Sequence, residues 1–492
     1  MPDSSSKLSL YNRAPEQMRR RRTRCARLSL TLLLILGGTR ESVSSPFDLY
    51  GAGSRGSAMG NVGAASSVDC AAAHYNPAAL VAGAPQLVVG LHSAIKRLSI
   101  KLSERPSGYD IPDLGFDSPA VPTRYRLRQR EGSEVDHLGL NLYGGASTDL
   151  GTDQLRLGLL FSLPVYRSEE SQGSFFNDER EQFFSNRLHF DLLGRRVEHF
   201  VVQLAGAWQV TEWLALGLGA HLSAQVTSNN EIYMDDPTRQ DQIDLNVGLA
   251  TQTQWIPSAG ILLTPSEAFS LGFSFRDAQS LEIEGVNTVQ VRGLQESDRY
   301  PFEQRMQLSL EYQPRRFLSG LSWRSGAHLL STDLAYLQWS AYPTHHREEA
   351  NFQDTLSVRF GAEHQLHDKV TLRWGAGYEP TPVGPQTGRS NFVDNDRIVG
   401  SLGTGHRFRF AEKTLQLSWH LQLHWLSARQ EEKALRGSYP TCDGGGDALC
   451  DEVPDNPDQP ETLGLQTGNP GFPGFSSGGV LAHMGVEVIW SF

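Results

Sequence analysis

Two short motif matches are the first candidates for chemistry in this sequence. Gly474–Gly478 reads GFSSG and fits the G-x-S-x-G pattern of a nucleophilic serine. That pattern works only on a strand-to-helix turn with histidine and acid partners, and here it is expected in a Gly/Pro-rich loop. Gly51–Gly56, GAGSRG, fits the dinucleotide fingerprint G-x-G-x-x-G, but is expected neither to follow a strand nor to open a helix. We therefore predict no enzyme and no cofactor.

Two polar clusters contain possible metal ligands. One comprises His345, His346, Glu348 and Glu349. The other comprises the acidic residues Asp443, Asp447, Asp451, Glu452, Asp455 and Asp458. Imidazoles with carboxylates suit a transition metal, and several carboxylates suit calcium. The acidic spacing matches no known calcium loop, and solvated charged loops explain both clusters, so we predict no metal site.

The elements that carry the polar residues are strands with a period of two. In Thr414–Leu426, TLQLSWHLQLHWL, every second residue is Leu or Trp and the residues between are Gln, Ser or His. Successive side chains of a strand point to opposite faces, so the segment has one apolar and one polar face. Six large apolar residues with Trp near both ends indicate a lipid-facing strand. In hydrocarbon, only a closed barrel leaves no unpaired sheet edge.

The same alternation, bounded by turn signals, recurs along the chain. We predict strands at 86–101, 135–146, 154–166, 197–210, 213–226, 251–264, 268–283, 302–313, 328–340, 354–366, 369–379, 395–411, 414–429 and 478–492. Connections after odd-numbered strands are long, whereas most of those after even-numbered strands are tight turns. This asymmetry is typical of an outer-membrane barrel. The fold class is therefore all-β, a transmembrane antiparallel barrel of about fourteen strands.

Composition agrees with export and with a barrel. The chain is 39% hydrophobic with a mean hydropathy of −0.36, and no run of apolar residues is long enough for a membrane helix. Arginines precede the apolar block Leu28–Leu36, so residues 1–45 are predicted to be a signal peptide, with a possible true start at Met18. Residues 1–45 carry nine Lys/Arg and three Asp/Glu of the 44 and 55 in the chain, which leaves 35 against 52 and a charge of −17. Such acidity argues against a nucleic-acid partner.

Three cysteines remain after the predicted signal peptide. Cys442 and Cys450 lie close together in a Gly/Asp/Pro-rich loop and are predicted to form a local disulfide in an oxidising compartment. A zinc pair is the weaker alternative, because further ligands are absent nearby.

Residues 46–84 are rich in Gly, Ala and Ser and lack strand periodicity. Small residues let backbones approach closely, as in a segment packed into a confined space. Phe47, Leu49, Tyr50 and Met59 are more apolar than a disordered linker requires. Three domains follow from this division: the signal peptide, an N-terminal segment at 46–84, and a barrel at 85–492.

Several stretches resemble the FadL family of outer-membrane transporters for long-chain fatty acids and other hydrophobic compounds. SPFDLYGAGSRGSAMGNVG and HYNPAAL resemble the family's N-terminal hatch, and STDLAYLQWSAY resembles its Asp-containing strand. FQDTLSVRFGAEH with TLRWGAGYEPTPV resembles the following hairpin, and the last 24 residues resemble its C-terminal strand. The resemblance covers nearly all of the mature chain.

This resemblance implies a barrel plugged by a hatch, through which hydrophobic ligands diffuse passively and leave sideways into the bilayer. Phe47 matches an aromatic residue that reaches the binding pocket, and Asn76, Pro77 and Ala78 match the hatch motif. It also implies the outer membrane of a Gram-negative bacterium, with lipids and a fatty acid-like ligand as partners. The terminal Phe492 is expected to engage the barrel-assembly machinery.

Polar residues that alternate with lipid-facing ones are expected to face the lumen. They are Arg359, Glu363, Arg373, His420, His424 and Glu487. They could meet a carboxylate ligand, although pairing with one another across strands is the favoured interpretation. Pro164 interrupts the third strand and marks either the end of that strand or a gap for lateral exit.

Two functions stay open. One is uptake of a hydrophobic compound through a hatch-gated barrel. The other is a PorV-like role in secretion or in anchoring cargo at the cell surface. The surface role needs apolar outer loops, whereas the loops at 227–250 and 430–477 are polar and acidic, which favours uptake.

Overall fold

The structure is a computed structural model of the 492-residue chain. It describes residues 46–103, 133–167, 174–176, 187–190, 192–193, 200–234, 243–291, 302–342, 352–386, 390–410, 413–433, 471 and 474–492. The predicted signal peptide, the clusters at 345–349 and 443–458, and the cysteines Cys442 and Cys450 lie outside these residues. The disulfide and the signal peptide therefore stay predictions.

Eighteen strands account for most of the described residues. They are β1 Gln86–Leu102, β2 Ser133–Thr148, β3 Leu155–Arg167, β4 Ser174–Phe176, β5 Arg187–His189, β6 Val201–Thr211, β7 Leu214–Met234, β8 Ile243–Leu263, β9 Phe269–Arg276, β10 Gln279–Val291, β11 Phe302–Gln313, β12 Arg315–Ser325, β13 His328–Gln338, β14 Thr355–His367, β15 Val370–Glu379, β16 Arg397–Phe410, β17 Lys413–Glu432 and β18 Gly474–Ser491. No helix in the described ranges is long and apolar enough to cross a membrane.

Fourteen of these strands form a closed ring, which confirms the predicted fold class. The ring runs β1-β2-β3-β6-β7-β8-β9-β12-β13-β14-β15-β16-β17-β18, and β18 pairs back onto β1 from Gln86↔Ser491 to Leu102↔Phe475. Every neighbouring pair in the ring is antiparallel. Closure pairs the backbone groups that a sheet edge would leave exposed to lipid.

One predicted strand does not belong to the ring. Residues 302–313 form β11, which pairs with β10, and β10 pairs in parallel with β7 from Ile283↔Val226 to Val291↔Met234. The ring strand at this place is β12, which the prediction left in a connection. Its alternation is weak, because Leu318 faces inward and Ser319 stands among the outward residues. Periodicity identifies a strand, but not the neighbour with which that strand pairs.

The apolar face of β17 points outward as predicted. Leu423 and Trp425 are 48% and 65% exposed, whereas Ser418, His420, Gln422 and His424 are buried on the inner face. The other ring strands show the same exposed apolar residues, including Trp208, Trp255, Phe273, Trp374 and Trp490. An apolar outer band with aromatic residues is the surface expected of a membrane-spanning barrel.

The N-terminal segment, residues 46–84, is helical and buried rather than extended. It contains helices Pro46–Tyr50, Gly53–Ala58 and Ala72–Tyr75 and the 3-10 helix Pro77–Ala82. It makes hydrogen bonds to the backbone carbonyl of Ile261 and to side chains around the ring: Gln203, Ser274, Arg316, Asp333, Glu363, Ser401, Gln422 and Glu487. A segment bonded to so many strands of a closed ring lies inside it.

The structure changes the setting of both motif matches. Gly474–Gly478 is the start of β18 and not a loop, so the strand-to-helix turn required for a nucleophile is still missing. Gly51–Gly56 does run into a helix, contrary to expectation, but a helix and not a strand precedes it. Neither motif has the surroundings that its chemistry requires.

Glycines in the barrel wall let the backbone of the N-terminal segment pack directly against the wall. A Cβ at Gly272 would lie 1.9 Å from the Ala64 carbonyl oxygen, and one at Gly217 would lie 2.2 Å from the Ala78 nitrogen. Real Cβ atoms do not approach so closely, so any larger residue would push the two backbones apart. These glycines are required by packing of main chain against main chain.

Gly272→Ala should therefore destabilise the barrel by about 1–3 kcal/mol by overpacking. Gly400→Ala is the matched control, because nothing lies within 4 Å of a Cβ at Gly400. Urea unfolding in lipid vesicles measures the two free energies, and hydrogen exchange of residues 60–66 reports local loosening. Equal stability and exchange in the two variants would contradict direct backbone packing.

Leu421→Arg should cost about 2–4 kcal/mol, because it places a charge near the middle of the lipid-facing stretch, while Leu415→Arg near its end should cost about 0–1 kcal/mol. Gln422 is unsuitable as a lumen control: its amide nitrogen donates to the Ser57 carbonyl (3.2 Å) and to Asn61 Oδ1 (3.0 Å), so arginine there would collide with the N-terminal segment. Unfolding free energies in vesicles give the comparison. Equal costs at 421 and 415 would contradict the membrane placement of β17.

Candidate functional site

An ion cluster fixes the start of the N-terminal segment to the wall. Asp48 accepts from Arg276 Nη1 (2.7 Å) and from Arg316 Nη1 (3.4 Å). Burial raises the pKa of Asp48, but the neighbouring Arg276, His74 and Arg316 outweigh burial and hold the pKa below its ordinary value. Arg316 also donates to the carbonyl oxygen and to Nε2 of His74. The carboxylate of Asp48 is therefore ionised and attached to β9 and β12.

The predicted lumen-facing charges pair with one another. Glu363 and Arg373 are register partners on β14 and β15, and Arg373 Nε lies 2.7 Å from Glu363 Oε2. Arg55 of the N-terminal segment binds the same oxygen at 3.0 Å. Glu379 binds Arg359 (2.8 Å) and a further residue, Arg397 (3.0 Å). Cross-strand pairing thus accounts for these three predicted residues.

The two predicted histidines lie on β17. His424 Nε2 contacts Gln422 Oε1 at 2.8 Å, and its ring packs edge-on against Tyr50 at 5.5 Å. His420 contacts Ser54 Oγ and His483 Nδ1, both at 3.0 Å. The predicted lumen residues therefore divide into an arginine–carboxylate group and a histidine group.

A small cavity lies beside the arginine–carboxylate group. Its charged lining residues are Asp48, Arg276, Arg316, Arg359, Glu379, Asp394 and Arg397, and its apolar ones are Leu192, Pro314, Leu337, Trp339, Pro380 and Pro382. The Nε atoms of Arg316, Arg359 and Arg397 are buried without a hydrogen-bond partner in the part of the chain described. Four guanidinium groups face three carboxylates, so the cavity has donors available for an anionic group.

An aromatic cluster adjoins this cavity. It contains Tyr312, Trp339, Tyr342, Phe352 and Phe392, and Leu192 and Trp339 belong both to it and to the cavity lining. Ring centres lie 4.5 Å apart for Tyr342 and Phe352 and 5.0 Å apart for Phe352 and Phe392. The cluster forms where β11, the 3-10 helix Trp339–Ala341 and the segments around Phe352 and Phe392 meet.

Sequence reasoning did not select these aromatic residues as site residues. Trp339, Tyr342 and Phe352 stand inside two of the stretches that carry the family resemblance. The signal that could have identified them as site residues is their position just outside the ends of strands. Only the folded chain brings them together with Tyr312.

Hydrogen bonds of the Asn76 side chain fix the conformation of the predicted hatch residues. Asn76 Oδ1 accepts from the Ala78 N–H (3.1 Å), and this bond caps the 3-10 helix that begins at Pro77. Asn76 Nδ2 donates to the carbonyl oxygens of Ala64 (2.7 Å) and Ile261 (3.0 Å). One side chain thus joins two parts of the N-terminal segment to β8.

Phe47 is buried against His74 and Tyr143, with ring centres 5.7 and 5.8 Å away. Its neighbour Asp48, and not Phe47 itself, is among the lining residues of the cavity. A role of Phe47 in ligand binding stays a prediction.

Pro164 lies where β3 loses one neighbour. Pairing of β3 with β6 ends at Ser162↔Val201, while pairing with β2 continues through Asn141↔Pro164 to Gly139↔Arg167, with a bulge at Leu140/Asn141. Among the described residues, β3 beyond Ser162 thus pairs on one side only. The proposed lateral exit stays a prediction that this edge allows.

The outer face of the ring has an apolar groove of about 990 Å³. Its lining includes Leu157, Trp208, Leu218, Ile261, Phe273, Phe317 and Tyr336, with Gly206, Gly217 and Gly260 among them. On the inner side of Gly217 and Gly260 lie Asn76 and Ala78, close enough to exclude a Cβ. Only one layer of backbone therefore separates the hatch motif from the groove.

Comparison with known proteins agrees with the barrel fold. Residues 193–433 match the model of a family described as outer membrane protein transport protein (OMPP1/FadL/TodX). That description is of transport proteins of the outer membrane, and the closed fourteen-strand ring agrees with it. The predicted resemblance to the FadL family is confirmed.

A solved structure shows the same fold at low identity. A FadL homologue of Pseudomonas aeruginosa superposes with a TM-score of 0.54 at 15% identity, over 92% of this chain and 99% of that chain. The toluene transporter TodX of P. putida gives a TM-score of 0.49 at 13% identity, over 90% and 99% of the two chains. No curated protein matches the sequence.

Asp48→Asn should destabilise the barrel by about 3 kcal/mol at neutral pH, because it leaves buried arginines without their counter-charge. The pKa of Asp48 is lowered on folding, so its contribution is present above the unfolded value of about 3.9 and is lost as pH falls through the folded value. Unfolding free energies between pH 7 and pH 3 measure the difference. The exposed Asp368→Asn is the control, and a cost at Asp48 no larger than at Asp368 would contradict the ion cluster.

Proposed function

We propose that this protein takes up a hydrophobic compound with an acidic head group across the outer membrane of a Gram-negative bacterium. Long-chain fatty acids are the substrate class that fits best. The proposal rests on one observation, which is that an aromatic cluster adjoins a cavity lined by four arginines. The aromatic cluster suits an apolar chain, and guanidinium N–H groups suit a carboxylate.

The ligand enters at the end of the barrel that carries the long connections. The aromatic rings of Trp339, Tyr342 and Phe352 lie at that end and present apolar surface to an acyl chain. The arginines beneath, including Arg316 and Arg397, then meet the head group. The protein is a channel in this scheme, and the compound moves down its own gradient.

The N-terminal segment acts as the hatch. The cavity holds only about 40 Å³, room for a few water molecules, so a fatty acid requires movement of the segment below it. Asp48 connects the cavity lining to the segment, and Asn76 fixes the segment to β8. A ligand moves the segment only by binding its displaced arrangement more tightly than the present one.

The ligand leaves sideways through the wall. The edge of β3 beyond Ser162 is the proposed opening, next to Pro164. The outer groove then supplies an apolar surface that the acyl chain reaches without crossing water. Wall glycines such as Gly217 and Gly260 bring the hatch motif to the floor of that groove.

Asn76→Ala should leave the barrel folded and change uptake, because it releases three hydrogen bonds that hold the hatch. Asn395→Ala is the matched control: Asn395 is equally buried, but its amide bonds Ser427 and Ser477 of the wall. Uptake of labelled fatty acids by cells gives the readout. Unchanged uptake in the variant and in a deletion of the whole chain would contradict transport and favour the surface-anchor alternative.

Arg397→Gln tests whether the cavity recognises the acidic head group of the ligand. Glu379 keeps its bond to Arg359 in this variant, so the change removes mainly one cation from the cavity. Uptake of a fatty acid should fall about tenfold, the effect of a lost charge-assisted hydrogen bond of about 1.4 kcal/mol. Uptake of an alkane of equal length should stay unchanged. Equal losses for both compounds would contradict recognition of the carboxylate.

A further inference from the structure

Three imidazoles from three strands converge in the lumen, apart from the cavity just described. His92 lies on β1, His420 on β17 and His483 on β18, and all three are buried, at 4%, 1% and 3% exposure. One ring nitrogen of each lies within 4.8 Å of the others. This cluster has no role in the proposed transport of a hydrophobic compound.

The separations fit one shared ion. Ring centres are 5.1 Å apart for His92 and His420, 5.3 Å for His92 and His483, and 4.8 Å for His420 and His483. Three imidazoles on one tetrahedral ion, with metal–nitrogen bonds of about 2.0–2.1 Å, have ring centres about 5 Å apart. His420 Nε2 and His483 Nδ1 already face each other at 3.0 Å.

A carboxylate completes the set of ligands. Glu487 Oε1 lies 2.8 Å from His92 Nε2 and is also buried. Three imidazole nitrogens and one carboxylate oxygen form a donor set typical of Zn²⁺ and its borderline neighbours, whereas Mg²⁺ and Ca²⁺ prefer oxygen alone. Gly485 leaves room for this arrangement, since a Cβ there would lie 2.4 Å from His92 Cδ2 and 2.5 Å from His420 Cε1.

Surrounding groups orient the ligands. Ser54 Oγ lies 3.0 Å from His420 Nδ1, so it can accept that N–H and leave Nε2 for a metal. Tyr143 stacks on His92 and Tyr50 stacks on His483, with ring centres 4.8 and 4.5 Å apart. Metal-binding histidines commonly have a hydrogen-bond partner, as Ser54 is for His420, on their second ring nitrogen.

We propose that His92, His420, His483 and Glu487 form a binding site for a divalent transition metal of the Zn²⁺ class. The site joins three adjacent wall strands, and Ser54 connects it to the N-terminal segment, because its backbone N–H also donates to Glu487 Oε1 (2.7 Å). The bound ion stabilises the folded barrel and the side of the N-terminal segment next to β17 and β18.

The experiment uses the full-length barrel, purified in detergent and stripped of metal with a chelator. Isothermal titration with Zn²⁺ should show one tight equivalent. His420→Asn and His483→Asn should weaken it by about a hundredfold or more, and Ser54→Ala by about tenfold through loss of the orienting bond. His221→Asn, at a buried lumen histidine outside the cluster, should bind like the wild type. Heat-modified migration in gels checks that each variant is folded.

Absence of tight Zn²⁺ binding by the wild type would overturn the proposal, as would unchanged affinity in the folded His420→Asn and His483→Asn variants. If the histidine variants do not fold, Co²⁺ spectroscopy of the wild type decides. Intense visible bands of tetrahedral Co²⁺ support the site. A weak octahedral spectrum means that the histidines form only a hydrogen-bonded cluster and overturns it.

Discussion

The pairing of every backbone N–H and C=O away from water is the constraint on which this structure depends. In hydrocarbon an unpaired group costs several kcal/mol, so the wall closes through the β1–β18 ladder and leaves no edge in the ring. Among the described residues several strand ends pair on one side only, including β3 beyond Ser162 and β8 before Ser258.

The same constraint governs the N-terminal segment inside the ring. Its helices are too short to satisfy their own backbone groups, so the wall does so with side chains. Asp333 accepts the N–H groups of Gly63 (2.7 Å) and Ala64 (3.0 Å), and Glu487 accepts that of Ser54. Ser401 donates to the carbonyl oxygen of Ala58. Polar residues inside a barrel for apolar cargo are therefore required by the packed main chain.

Charge inside the lumen follows from this packing as well. Buried arginines are tolerated because each network has a carboxylate at its centre: Asp48, Glu363 or Glu379. Around Glu379 and Asp48 the guanidinium groups exceed the carboxylates, and several N–H groups keep no partner in the described residues. The excess of donors lies beside the aromatic cluster, which shares Trp339 with the lining of this cavity. The clustered histidines of β1, β17 and β18 are not among the lining residues of this cavity, and their nitrogen lone pairs suit a cation instead.

The sequence by itself determined the fold class and the faces of the strands that it identified, because a period of two is local and survives any arrangement of neighbours. The count of fourteen agrees with the ring, although strand 302–313 was predicted in place of β12. Alternation over 414–426 assigned Leu423 to lipid and His420 and Gln422 to the lumen, and the structure agrees. The resemblance identified Asn76, Pro77 and Ala78 as the hatch motif, and in the structure Asn76 caps the 3-10 helix that begins at Pro77.

Tertiary structure alone decided which strands pair, what fills the lumen, and which distant residues meet. The predicted strand 302–313 lies outside the ring, and β12 occupies the expected position. Pairing depends on register and on neighbouring strands, which periodicity does not record. The aromatic cluster joins Tyr312 to Phe392, and the imidazole cluster joins His92 to His483. Ring closure places the first strand against the last, and contacts across such separations depend on the whole path of the chain, which no local pattern records.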